Sequence, residues 1–180
     1  IMVDDMGYSD IGCFGAEIET PVLDQLAEEG LRFTSFYNAA RCCPSRAALL
    51  TGLYPHAAGM GRMVSAADAN PAPGAYQGFL SRESNTIAEV LKEAGYRSYM
   101  SGKWHVGEAR EHWPTKRGFD RYFGLISGAS SFYELLKADR NRKMALDHND
   151  FVPEGDDFYM THAFTDYALD FLEEHVKDHS

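Results

Sequence analysis

The sequence predicts an α/β fold, a mostly parallel or mixed sheet with helices on its faces, because helix-period stretches alternate with short apolar runs. Residues that start and stop helices bracket these stretches. Thr20-Pro21 opens the first helix, with Val22, Leu23, Leu26 and Ala27 on one side and Gly30 as its stop. Ile1-Met2-Val3 and Leu31 to Phe36 read as strands. A second helix begins around Pro44, whose missing N–H costs nothing in a first turn, and ends at Gly52, a natural left-handed residue. Val64 to Phe79, rich in Ala, Pro and Gly, reads as a long surface loop, flanked by His56 and Met60 to Met63. Thr86 and Glu89 form a capping box, and Ile87, Val90, Leu91 and Ala94 make an i, i+3, i+4, i+7 stripe before Gly95. Tyr96 to Met100 then reads as a strand that runs out into Gly102. Asp147-His148-Asn149-Asp150, set between two apolar triplets, reads as a hairpin turn rather than a metal site. A last helix near Ala163 to Val176 places Phe164, Tyr167, Ala168, Phe171 and Leu172 on a core-facing side.

With 180 residues, 44% of them hydrophobic and 13% aromatic, the chain can form a core of ordinary size. No apolar run approaches the ~20 residues needed to span a bilayer. The net charge of −10 argues against a nucleic-acid surface, although a local basic pocket for an anionic substrate is compatible with an acidic whole. The three cysteines cannot all pair, and adjacent Cys42-Cys43 makes a poor disulfide, so Cys13 and Cys43 read as small buried residues.

Three short segments carry chemistry, and each falls just after a predicted strand, where open α/β sheets gather their ligands. In Cys42-Cys43-Pro44-Ser45-Arg46, Cys42 stands at a helix N-terminus, which favours an anion, and Arg46 lies one turn on, within reach of position 42. In Gly102-Lys103-Trp104-His105, a continuing extended backbone puts Lys103 and His105 on one face with Trp104 turned away. Alone, such a pair is also what a solvated strand end looks like. Asp4-Asp5 closes an apolar run with two carboxylates, read either as oxygen ligands of a hard divalent cation or as an acidic turn. Asp10 reads as structural.

The stretch Cys42 to Gly52, C-x-P-S-R followed by Thr-Gly, resembles the sulfatase family signature. Gly95 to His105 is similar to that family's second signature, G-Y-x-[ST]-x-x-x-G-K-[aromatic]-H, and the pattern extends through Gly7 to Gly12, Arg117-Gly118-Phe119-Asp120 and Tyr122-Phe123-Gly124. The resemblance implies an alkaline-phosphatase-like sandwich, with residues 1–180 as the N-terminal portion of a catalytic domain truncated at both ends. It implies that a formylglycine-generating or anaerobic sulfatase-maturating enzyme oxidises Cys42 to formylglycine, whose hydrate attacks the sulfur of a sulfate ester. Arg46 then supports the hydrate, Lys103 contacts the sulfate, and His105 hydrogen-bonds the hydrate. Asp4, Asp5 and the residue made from Cys42 become ligands of calcium, with magnesium as the alternative ion. Further ligands and the acid for the leaving group are expected outside these residues. The implied substrate is a sulfated small molecule or sulfated glycan, with no nucleic-acid partner, and the implied compartment is periplasmic or secreted. Two alternatives stand beside it: a phosphate or phosphonate ester hydrolase of the same superfamily, and a catalytically silent truncated domain.

Overall fold

The computed structural model describes residues 1–64, 73–136 and 142–178, so most of the expected Val64 to Phe79 loop lies outside the described residues. The chain divides into two units, Ile1–Asn38 and Ala39–Ser180.

In the first unit, helix α1 spans Pro21–Glu29, with Pro at its first position and Gly30 beyond its end, as expected. Its apolar side is only partly used: Leu23 and Ala27 are half-buried, while Val22 and Leu26 are exposed. Asp24 ties the preceding loop to the helix, accepting from the Cys13 N–H at 2.7 Å and from the Thr20 hydroxyl at 3.1 Å. Cys13 is half-buried rather than buried. Asp10 accepts the Gly7 N–H at 2.6 Å, the structural role expected of it. Neither Ile1–Val3 nor Leu31–Phe36 forms a strand, which corrects both expectations. A strand needs a paired neighbour to satisfy its N–H and C=O groups, and this unit contains no other strand among the described residues.

The second unit is built on a mixed sheet in the order β1 (Tyr99–Ser101), β2 (Arg121–Leu125), β3 (Met144–Leu146) and β4 (Asn149–Phe151). β1 and β2 are parallel, while β2–β3 and β3–β4 are antiparallel. Side chains alternate along β2 and its continuation, so Tyr122 and Ile126 enter one core, with α2 (Cys42–Thr51), Trp104 and Trp113. Phe123 and Leu125 enter the other, beneath α4 (Met160–Asp178), where Phe123 stacks on Tyr167 at 3.7 Å between centroids. Helices thus cover both faces. In α4, Phe171 is buried and Phe164 and Tyr167 pack as expected, but Leu172 faces solvent.

Leu146 and Asn149 are paired, so β3 and β4 join through a two-residue turn at Asp147-His148, with Asp147 at φ 54°. The Asp147 carboxylate accepts from Arg121 Nε at 3.0 Å and from the Tyr122 N–H at 2.9 Å. It is committed to the fold, as the turn reading requires.

The capping box of α3 (Ile87–Glu93) is formed, with the Thr86 hydroxyl accepting the Glu89 N–H and Glu89 accepting the Thr86 N–H. The predicted apolar stripe is not the buried one, because Ile87 and Val90 are more than half exposed and Ala88 faces the core. The cause is the anchor: Thr86 donates to the Arg117 carbonyl at 2.7 Å, and Gly118 packs so directly on the backbone of Ala88 and Glu89 that it has no room for a Cβ of its own. Arg117, 1% exposed, donates to the carbonyls of Leu80 and Ser84 and to Glu89, joining the loop before α3, the helix and the turn before β2.

Arg117→Met strands Glu89 and two carbonyls, so urea unfolding is expected to show a loss of about 3 kcal/mol. Burial raises the Glu89 carboxyl, but hydrogen bonds from Arg117 and Thr86 and the Arg117 charge outweigh it and hold the group below its ordinary value of 4.5. A depressed carboxyl stabilises the fold above its unfolded value, so stability is expected to fall as pH drops below about 4.5, and Glu89→Gln to flatten that dependence. In Gly124→Ala, the new Cβ would fall 1.7 Å from the Gly102 oxygen, and we expect a destabilisation of about 3 kcal/mol or more in the same assay.

Candidate active site

α2 delivers the first residues of the site. Arg41 precedes it in extended conformation, Cys42 opens it, and Gly52 ends it at φ 68°, its N–H bonded to the Ala48 carbonyl. Cys43 to Ala47 are buried, while Cys42 is half-buried. The two thiols therefore meet different surroundings. Burial pushes Cys43 up to about 11, aided by Cys42 and opposed by a Val64 backbone hydrogen bond and by Lys103 and Arg46, which leaves it an inert core thiol at neutral pH.

The segment after β1 supplies the rest. The Lys103 ammonium lies 3.3 Å from Cys42 Sγ, and Arg46, 7% exposed, donates through Nη1 to the Lys103 carbonyl. One helical turn and one strand end thus converge on position 42. Tyr122, wholly buried, donates its hydroxyl to the neighbouring Gly102 carbonyl at 3.1 Å. Sequence reasoning named Tyr122 only within the family-like run Tyr122-Phe123-Gly124 and gave it no place at the site. Its signal was its place opposite Met100 in the strand pair, legible only once the register is known.

His105 is arranged differently from the expectation. The backbone does not stay extended through it: its φ is 54°, although its N–H still reaches the Ile126 carbonyl at 3.1 Å. The imidazole is 4% exposed and lies over Gly128, where a Cβ would come within 2.9 Å of Nε2. Trp104 turns into the core, its indole N–H donating to the His112 carbonyl at 3.0 Å. Beside the first turn of α2, Arg41, Pro44, Tyr54, His56, Arg62 and Met63 border a cavity of about 690 Å³. His56 rests edge-on against Tyr76, with 5.5 Å between ring centroids.

Asp4 and Asp5 sit together in an exposed turn of the first unit, Asp5 at φ 56°. Their oxygens are of the right hardness for calcium or magnesium, but calcium takes about six to eight such ligands. No group of three or more His, Cys, Asp or Glu side chains among the described residues is arranged to hold a metal ion. The donors assembled within these residues therefore fall short of a complete cation site.

The family model described as Sulfatase matches residues 1–180. An uncharacterized sulfatase of Schizosaccharomyces pombe is 34% identical over 100% of the chain, and arylsulfatase A of Homo sapiens is 46% identical over 69% of it. The chain spans 35% and 24% of the lengths of those two relatives. Among solved structures, Ps i-CgsB superposes with a TM-score of 0.81 at 30% identity, covering 97% of this chain and 40% of that one. BT4656, solved in complex with its substrate D-glucosamine-2-N,6-O-disulfate, gives 0.69 at 30% identity over 94% of this chain and 29% of its own. The mixed sheet with helices on both faces is a partial alkaline-phosphatase-like fold, and the chain belongs to the sulfatase family.

Proposed function

We propose that residues 1–180 are the N-terminal portion of a catalytic domain that hydrolyses sulfate esters, with Cys42, Arg46, Lys103 and His105 acting at the sulfate. The observation that carries this reading is the Lys103 ammonium 3.3 Å from Cys42 Sγ at the start of a helix, in a chain of this family. A formylglycine at position 42, made by a maturating enzyme, supplies an oxygen nucleophile as its hydrate. The chain's own residues supply position and charge. Lys103 and the helix N-terminus set fixed positive charge where negative charge accumulates on the transferring group, the arrangement that lowers such barriers most. Arg46 adds a second cation and, through the Lys103 carbonyl, fixes the segment that carries the first. His105, nearly dry and seated over Gly128, is the group proposed to exchange hydrogen bonds with the hydroxyls at position 42.

Asp4 and Asp5 are the carboxylates proposed for calcium, with magnesium as the alternative. The substrate is a sulfated small molecule or glycan, a reading supported by the disulfated sugar bound to BT4656, and the proposed compartment is periplasmic or secreted. No helix among the described residues is long and apolar enough to cross a membrane.

The test is steady-state kinetics of the whole protein on matched aryl sulfates and aryl phosphates, with peptide mass spectrometry at position 42. The expected result is an aldehyde at that position, a higher kcat/KM for the sulfates, and a loss of roughly 100-fold or more in Lys103→Ala. A preference for phosphates, or full activity in Cys42→Ala, overturns the proposal.

A further inference from the structure

We propose that Tyr122 is a positioning residue: its buried hydroxyl, together with Arg46, clamps the Gly102–Lys103 backbone and so aims the Lys103 ammonium at position 42. This rests on the reading of Lys103 as the cation of that position.

Three observations carry it. First, the two carbonyls that bracket Lys103 are each held by a side chain from a different element: Gly102 O by Tyr122 of β2 and Lys103 O by Arg46 of α2. Second, the Gly102 carbonyl also accepts the Leu125 N–H at 3.1 Å, so the hydroxyl adds a second, crossing restraint to a group the sheet already holds. A carbonyl has two lone pairs, and here both are used. Third, Gly102 adopts φ 128°, a conformation with little side-chain bulk to stiffen it, directly before the residue whose side chain must be aimed. A joint without a side chain stands directly before Lys103, and the phenol braces its carbonyl. Burial raises the Tyr122 hydroxyl well above its ordinary value, opposed in part by the Arg46 charge, so it remains a neutral donor.

A tyrosine that merely fills the core predicts something else. Phenylalanine has the same ring, so in that case Tyr122→Phe changes stability and leaves the geometry at Cys42 untouched.

The experiment is peptide-resolved alkylation by iodoacetamide of chain whose Cys42 is the thiol, comparing wild type, Tyr122→Phe and Lys103→Met. Cys43 serves as an internal reporter of core opening, because it is fully buried one residue away. The expected result is slower labelling of Cys42 in Lys103→Met, a slowing of the same sign and no larger in Tyr122→Phe, and an unreactive Cys43 in both. Wild-type labelling of Cys42 in Tyr122→Phe overturns the proposal, and so does reactive Cys43 in that variant, which would make the hydroxyl a support of the core. No slowing in Lys103→Met removes the premise together with the proposal. Slowing in Lys103→Met but not in Tyr122→Phe removes the proposal alone.

Discussion

A close backbone approach in the second unit sets the terms for what is built on it. Gly124 of β2 passes beside Gly102 with no side chain between them, at a φ of 152°. That contact lets the two chains keep exchanging hydrogen bonds past the end of β1: Gly102 N–H to Phe123 O at 2.9 Å, Trp104 N–H to Leu125 O at 2.8 Å, and His105 N–H to Ile126 O. The loop bearing Lys103 and His105 is therefore an extension of the sheet in its bonding, although its dihedral angles are irregular. Functional loops gain accuracy when a regular element holds their backbone, and here β2 and the residue after it hold Gly102, Trp104 and His105.

Two arginines show how far surroundings decide the work of one residue type. Arg117 is 1% exposed and spends its donors on two carbonyls and Glu89, so its charge is balanced and its role is mechanical. Arg46 is also buried, but it points at a strand end that carries a second cation. The chain as a whole carries a charge of −10, so the positive site is a local feature against a negative background.

Elements whose ends are marked by local chemistry were legible in the sequence. Pro21 and Gly30 bound α1, Gly52 ends α2, Thr86 and Glu89 cap α3, and Asp147-His148 turns the hairpin. These depend on neighbours three or four residues away. The failures were of another kind. Strands at Ile1–Val3 and Leu31–Phe36 needed pairing partners that the first unit does not provide among the described residues, and the exposed stripe of α3 was set by its distant anchor at Arg117. Lys103 was placed beside Cys42 by motif, whereas Tyr122 could not be, since its partner carbonyl lies 20 residues earlier across a strand pair. The approach of Lys103 and Arg46 to position 42 was readable from the motifs; the restraints that hold them there were not.

His105 is a place where backbone strain and the role proposed for the side chain pull in opposite directions. A side chain at a positive φ costs roughly 1–2 kcal/mol relative to glycine, and 54° is such an angle. Glycine there would relieve the strain but empty the space of a nearly dry imidazole, so backbone and packing weigh against each other at this one residue.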